Sequence, residues 1–435
     1  MNSKINNSRM KKLLSSNLDN LQEKQLQGLQ WTVKHAYHGS DAYRKKIDEL
    51  NLKPDDIQSM DDLQRLPFTS PKDLSDGYPF PLLSVPFENV SRIHTSSGTT
   101  GKRKVLCYTK KDIHDWIQFF TRCFEFAGLT AEDRVQIAVG YGPWTAGISF
   151  QTACEAFGAM AIPSGPGDSE TQTDFLIDFQ STVLCCTASM GLLMSEEIQR
   201  KGILDKINLN KIIYGSERSS DLMRERIKSN LGLTEMYDIT GMTELYGPGT
   251  GIECSYHNGI HYWSDYYLLE IIDPKTLEVL TPGETGEMVV TTLQKEAVPL
   301  IRYRTHDIAA IIPEPCPCGN LFPRHERLQG RTDDMFIFRG VNIYPSQIDS
   351  LLGNVSDIGS EYQVLLNKID GKDNFTFKIE RDQYKDSSID SNITDTIRSL
   401  FKNKIYVTPD VEVVEYGSLP RSVRKTKRVS DLREP

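Results

Sequence analysis

The apolar positions of this chain change period several times, and each change marks a different kind of element. Leu26, Leu29, Val33 and Ala36 recur at helical spacing and share one face, with Trp31 off that stripe. Six prolines between Pro54 and Pro86 then interrupt any period, which predicts a wrapping segment rather than a separate domain. From residue 105 to 235, continuous apolar runs alternate with amphipathic stretches. Val135–Val139, Ala159–Ile162, Thr182–Cys186 and Lys211–Tyr214 read as buried strands, and 110–127, 146–157, 170–179 and 189–201 read as helices between them. Such alternation predicts α/β layering on a largely parallel sheet, whose strand ends are the usual place for ligands. Residues 236–330 change to short β runs separated by Pro-Gly and Asp-Pro turns, a β subdomain. Residues 331–435 mix β runs (335–338, 362–367, 374–379, 411–415) with helical patterns (345–353, 388–404), a small α+β domain. The expected linker is Gly330-Arg331-Thr332-Asp333-Asp334.

The expected fold class is therefore α/β: a large N-terminal domain over residues 1–330 with its β subdomain, followed by a small, mobile C-terminal domain. Composition agrees with a soluble globular chain. Of 435 residues, 38% are hydrophobic and 25% charged. A net charge of −9 does not favour a nucleic-acid surface. No apolar run reaches the roughly 20 residues of a membrane span, and Met1 to Lys12 lacks the apolar region of a signal peptide. Eight cysteines, two of them adjacent at Cys185-Cys186, fit reduced thiols in a cytoplasm.

The densest chemistry lies in Thr95-Ser96-Ser97-Gly98-Thr99-Thr100-Gly101-Lys102-Arg103-Lys104. Glycines let backbone N–H groups turn towards an anion, hydroxyls donate further hydrogen bonds and lysine adds a point charge, so the loop suits a polyphosphate. It is not a Walker loop, because Arg103 stands where Ser or Thr is required after Lys102.

Further stretches follow in order: Tyr141-Gly142; Tyr237-Asp238 with Gly241-Met242-Thr243-Glu244; Ile301-Arg302-Tyr303-Arg304-Thr305-His306-Asp307; Arg339-Gly340-Val341-Asn342-Ile343-Tyr344-Pro345-Ser346-Gln347; and Leu419-Pro420-Arg421-Ser422. Together with the hydroxyl-rich loop, this ordered set resembles the phenylacetate–CoA ligases of the acyl-adenylate-forming superfamily over roughly residues 25–432. The resemblance implies a two-step reaction. A carboxylate attacks the α-phosphate of ATP to give acyl-AMP and pyrophosphate, and the thiol of coenzyme A then displaces AMP.

The resemblance also distributes roles. Ser96, Ser97, Gly98, Thr99, Thr100, Gly101 and Lys104 would hold the β- and γ-phosphates. Glu244 would bind Mg²⁺, which prefers hard oxygen donors, with Thr243 beside the α-phosphate. Gly215, Ser216, Glu217, Tyr237 and Asp238 would frame the adenine, Tyr237 by stacking. Asp307 and Arg331 would contact the ribose, and Asp333 would be the hinge of the C-terminal domain. Lys425 would stabilise charge building during adenylation. Arg424 replaces the glycine usual before that lysine, and Lys427 competes for the role. The acyl pocket would involve Tyr141, Gly142, Trp144, Thr145, Ala146 and Gly147, with Ser189 nearby, and would suit a flat aromatic acid. Two departures bear on the acid: Arg218-Ser219 stands where the family commonly has Pro-Trp, and Arg103-Lys104 where it commonly has Pro-Thr. A homodimer is expected by family analogy alone.

Three readings of the activity follow. The first is an aryl-acid–CoA ligase, the second an adenylate-forming enzyme that serves an amine or a carrier-protein thiol, and the third a nucleotide-binding regulator. The presence together of Glu244, Asp307, Arg331 and Lys425 argues against the third. Separately, Cys316-Pro317-Cys318 with Cys254 and either His257 or His261 offers a Cys₃His set for structural Zn²⁺. Family similarity around Gly259-Ile260-His261 favours His261.

Overall fold

Five strands with almost uninterrupted apolar sequence run parallel in the order Met160–Ile162, Arg134–Ile137, Val183–Thr187, Lys211–Gly215 and Glu235–Met242. Every residue of Val183–Thr187 is buried, as expected for a strand covered by helices on both faces. The computed structural model that shows this describes residues 20–96, 103–217, 219–233, 235–353, 355–369, 371–420 and 428–433.

The crossover helices are Ala146–Phe157, Ser169–Asp178, Ala188–Lys201 and Asp221–Leu231. Their ends are written in the sequence. Asp168, Thr187 and Ser220 each accept a hydrogen bond from the first-turn N–H groups of Thr171, Met190 and Met223. Gly158, Gly202 and Gly232 stop three of these helices at φ of 94°, 62° and 62°, where a Cβ would be strained. Because each crossover returns the chain to the same edge, the carboxyl ends of all the parallel strands lie together.

The sheet does not stop at residue 242. Gly247–Glu253, Ile260–Tyr262, Arg324–His325 and Ile311–Ile312 extend it antiparallel to nine strands. Only Tyr267–Ile272, Gly286–Thr292, Tyr303–Ala309 and Gly330–Arg331 form a separate four-stranded sheet. The stretch expected as one β subdomain is thus divided between two sheets.

The helix Leu21–Gly39 buries Leu29, Val33 and Ala36, leaves Trp31 exposed, and ties itself to the second sheet through a Thr32 hydroxyl bond to the Thr292 carbonyl, 2.8 Å. The proline-rich segment after it makes short helical turns and wraps the same body. Among the described residues no helix is long and apolar enough to cross a membrane.

Beyond Arg331, strands Asp410–Val414, Lys372–Arg381, Ile358–Ile369 and Val429–Asp431 form a third sheet. Helices Pro345–Leu352 and Asp390–Lys404 contribute Ile348, Leu352, Ile393, Ile397 and Phe401 to a core of their own with Val364, Leu366, Phe375 and Phe377. An independent core is what makes this end of the chain a small domain.

Candidate active site

The hydroxyl-rich stretch lies between two paired strands. Arg92–Thr95 pairs antiparallel with Val105–Tyr108, and Thr95 stands opposite Val105. Ser97 to Lys102 lie outside the described residues, as do Lys425 and Lys427. At the ends of this stretch, the Ser96 N–H donates to the Lys104 carbonyl at 3.0 Å, and the Thr95 N–H donates to Pro143 at 2.8 Å. The second bond ties the strand pair to the Tyr141–Gly147 segment.

Lys104 points into the site. Its Nζ lies 2.9 Å from Glu244 Oε1, a pair that is 20% and 10% exposed at the side chains. Glu244 follows the strand Glu235–Met242, at the carboxyl edge. The Tyr303 hydroxyl approaches the same Oε1 at 3.5 Å. The Thr243 hydroxyl lies 3.3 Å from that of Thr145, and the Tyr108 hydroxyl donates to the Thr243 carbonyl at 2.6 Å. A cation, a carboxylate and the hydroxyls of Thr145, Thr243, Tyr108 and Tyr303 thus converge here. As a hard oxygen donor, Glu244 would suit a divalent cation.

Gly215, Ser216 and Glu217 stand at the next strand end. A Cβ on Gly215 would lie 2.4 Å from the Ile239 carbonyl, so only glycine lets the two strands approach there. Glu217 accepts the Ser189 N–H at 2.6 Å and so links this edge to the start of helix Ala188–Lys201. Asp238 lies beside buried Glu253, and burial together with that neighbouring charge pushes its carboxyl up to about 7. Glu253 is held by a bidentate pair with Arg224, both contacts at 2.8 Å.

Tyr237 does not join this group. Successive residues of a strand face opposite sides, and Tyr237 points into the core, 3% exposed. Its hydroxyl donates to Glu235 at 2.6 Å and its ring lies beside His257. In this arrangement it presents no open face for a stacked base.

Asp307 and Arg331 come together through the second sheet, where they are paired residues. Arg331 Nη1 donates to Asp307 at 3.0 Å, while its Nε and Nη2 hold Asp333 at 2.8 and 2.9 Å. One guanidinium therefore connects the expected ribose contact to the expected hinge.

On the acyl side, Gly142 sits at φ 87° and Gly147 lies under the ring of Tyr141. A Cβ on Gly147 would fall 2.4 Å from that ring, so this glycine sets how deep the ring lies. Trp144 and Ala146 are half-buried on the same turn, which joins the strand Arg134–Ile137 to the helix Ala146–Phe157.

Pattern reading missed Lys295. It is fully buried and donates to the Glu244 carbonyl at 2.6 Å. Burial pushes its ammonium down to about 8, against the pull of Asp112 and Glu244. The available signal was a lysine directly after the neutral run Thr291-Thr292-Leu293-Gln294 and directly before Glu296.

Away from this edge, Cys254, His261, Cys316 and Cys318 bring their ligand atoms within 4.8 Å of one another. The Cys254 and Cys316 sulfurs are 3.6 Å apart, and Cys318 Sγ lies 3.5 Å from His261 Nε2. His261 Nδ1 is 2.8 Å from the Phe322 carbonyl, which orients the ring and leaves Nε2 for a metal. His257 lies instead against Glu253 and Glu235, and so is separated from the cluster. The contact between Cys254 and Cys318 pushes the first thiol up to about 12 and holds the second below its ordinary value. Three sulfurs and one imidazole nitrogen at this spacing fit a metal ion.

Residues 340–433 match the AMP-binding enzyme C-terminal domain family. The whole chain is 37% identical to a phenylacetate–coenzyme A ligase of Escherichia coli strain K12, with 99% of each chain covered. It is 36% identical to another of that name from Pseudomonas putida, with 96% of each covered. Among solved structures, 2-hydroxyisobutyryl-CoA ligase in its postadenylation state shares the fold with a TM-score of 0.85 at 24% identity, covering 93% of this chain and 88% of that one. The chain belongs to the phenylacetate–CoA ligase family of AMP-forming acid–CoA ligases.

Proposed function

We propose that this chain joins an aromatic carboxylic acid to coenzyme A at the expense of ATP, and that the carboxyl edge of the parallel strands is where both steps occur. The observation that carries the reading is the convergence of Lys104, Thr243 and Glu244 beside the Tyr141–Gly147 turn.

The Lys104–Glu244 pair has a physical role in the free enzyme. Two opposite charges in a poorly solvated pocket neutralise one another until substrate supplies new partners. When ATP enters, Lys104 is released to the β- and γ-phosphates as a point charge, and Glu244 becomes available as an oxygen ligand. Glu244 would hold Mg²⁺ there, and the ion would supply charge neutralisation for the triphosphate. The acid's carboxylate oxygen then forms a bond to the α-phosphorus as the bond to pyrophosphate breaks. Thr243, fixed by Thr145 and Tyr108, stands ready to donate to an α-phosphate oxygen. Asp307, aligned by Arg331, accepts from ribose hydroxyls. Glu217, Gly215 and Asp238 border the base. Lys425 meets the developing charge on the acyl phosphate, and in the second step the thiol sulfur of coenzyme A attacks the acyl carbon while AMP leaves.

The flat floor created by Gly147 beneath Tyr141 supports an aromatic acid, and Ser219 in place of a tryptophan leaves room for a larger one. The hydroxyl of Ser219 is held by Tyr214 at 3.0 Å. We assign Zn²⁺ to Cys254, His261, Cys316 and Cys318, as a structural ion.

The test is ATP–pyrophosphate exchange over a panel of aryl and alkyl acids, repeated as AMP release with and without coenzyme A. Exchange driven by phenylacetate or a near relative, with AMP release dependent on coenzyme A, is the expected result. Exchange with AMP release indifferent to coenzyme A would transfer the second step to an amine or a carrier-protein thiol.

A further inference from the structure

Lys295 is a buried cation that the two-step reaction does not use. Its side chain is fully buried, and among the described residues it forms no ion pair with a carboxylate. Its Nζ lies over the rings of Tyr108 and Tyr246, 5.0 and 5.3 Å from their centroids. Among the described residues its one hydrogen bond goes to the Glu244 carbonyl at 2.6 Å. An ammonium with no carboxylate in contact opposes folding, although Asp112 and Glu244 attract it from further off, and an apolar side chain of the same length would fill the volume without that cost.

The turn that carries Lys295 is itself held rigidly. Asp112, fully buried in the first turn of helix Lys110–Phe126, accepts the N–H groups of Glu296 at 2.7 Å and Ala297 at 3.0 Å. Thr109, the cap of that helix, donates its hydroxyl to the Glu296 carboxylate at 2.7 Å. The helix start therefore fixes the turn, and the turn delivers the ammonium.

Two successive carbonyls of the site each receive one buried donor. Tyr108 serves Thr243 and Lys295 serves Glu244. A peptide group is planar, so pinning both carbonyl oxygens fixes the two peptide planes that flank Glu244. The direction in which the Glu244 side chain leaves the backbone follows from those planes.

We propose that Lys295 is a positioning residue for acyl-adenylate formation: its ammonium, which does not reach the substrate, holds the Thr243–Glu244 backbone so that the Glu244 carboxylate faces the cation and the triphosphate. The proposal rests on the reading of Glu244 as a metal ligand.

The test uses full-length Lys295→Met, which keeps length and removes the donor, and Lys295→Gln, which restores a shorter one. Tyr108→Phe deletes only the hydroxyl that serves Thr243. The first readout is Mn²⁺ affinity in the presence of α,β-methylene-ATP, followed by electron paramagnetic resonance. The second is pyrophosphate exchange, with kcat and the KM for the acid separated; circular dichroism checks folding.

In Lys295→Met we expect Mn²⁺ affinity and kcat each to fall about tenfold or more, with the acid KM within about threefold of native. Lys295→Gln falls between, and Tyr108→Phe moves in the same direction. A folded Lys295→Met with native Mn²⁺ affinity overturns the proposal, as does an acid KM that rises in step with the loss of kcat. If Lys295→Met does not fold, native Mn²⁺ affinity in both remaining variants overturns it. If the native protein exchanges pyrophosphate with no acid, the functional reading fails while the Mn²⁺ comparison still decides the role of Lys295.

Discussion

At the scale of single residues, the site is flanked by groups whose titration opposes one another. His94 lies in the strand that leads into the Ser96–Lys104 stretch, packed edge-on against Tyr108 and Trp116. Burial pushes its imidazole down to about 4, helped by the Arg92 charge and opposed by a 3.3 Å contact to the Pro143 carbonyl and a backbone contact at Trp144. The unfolded chain therefore binds a proton at His94 between roughly pH 6.5 and 4 that the folded chain does not. Stability attributable to His94 is complete above that window and falls as pH drops through it. Asp238 has the opposite sign: raised to about 7, it penalises folding above that value and ceases to do so on acidification. The two would mask each other in the native protein alone. Comparison with His94→Gln separates them, since Asp238 is common to both. We expect the variant to gain on the order of 1 kcal/mol relative to native between pH 7 and 5 in denaturant titrations. A native-minus-variant difference that stays flat over this range would show that His94 keeps its ordinary affinity for protons.

At the scale of elements, what could be read from sequence was what depends on neighbours along the chain. Helix Lys110–Phe126 carries both its apolar period and its cap, Thr109 with Asp112, within one stretch. After residue 236 the β runs at Ile271, Met288–Val290 and Ile308–Ile312 were legible as strands, whereas Gly247–Glu253, Ile260–Tyr262 and Arg324–His325 were not. Nor were the partners of the legible runs. Tyr303–Ala309 pairs with Gly286–Thr292, while Ile311–Ile312, one residue further on, pairs with Arg324–His325 in the other sheet. The same limit applies to the site. Thr243 and Glu244 announce themselves in a short motif, whereas Lys295 acts on Glu244 across 51 positions and has no local signature. The metal cluster lies between these cases. Its ligands are legible by type, yet the choice of His261 over His257 depends on strand Ile260–Tyr262 pairing with Gly247–Glu253. Ile252 pairs with Ile239, so Cys254 lies towards the start of strand Glu235–Met242, away from Glu244. A metal here ties the loop around Cys316 and Cys318 to the edge of the large sheet and stands apart from the chemistry. Elemental analysis should find about one zinc per chain. In Cys318→Ser we expect zinc to fall below about half occupancy and the thermal midpoint by several degrees, with exchange activity of the folded fraction within about threefold of native. Native protein carrying far less than one zinc per chain would remove the assignment.

At the scale of the whole molecule, the small domain meets the large one through polar contacts. Tyr416 donates its hydroxyl to Glu196 on helix Ala188–Lys201, and Arg226 lies 3.2 Å from Glu196 and 3.5 Å from Asp382. Partly solvated contacts of this kind are individually weak and exchange readily for others. The connection that cannot exchange is covalent, and it passes through Asp333. There Arg331 holds the carboxylate bidentately while also holding Asp307, so the pivot is anchored to the proposed ribose contact. We propose that rotation about this point presents Lys425 for adenylation and a different face for coenzyme A. Proline at 333 would fix φ near −65° and restrict Thr332 before it, which removes rotation without emptying either site. A chain locked in one arrangement should keep one half-reaction and lose the other. In single-turnover measurements on Asp333→Pro, we expect acyl-AMP formation and thioester formation to diverge, one within about threefold of native and the other slowed by about tenfold or more. Native rates in both steps would show that the two domains exchange arrangements elsewhere. Equal slowing of both would show that the substitution disturbed the Arg331–Asp307 anchor instead of the pivot, and an Asp333→Ala control, which loses the ion pair but keeps backbone freedom, would reproduce that loss.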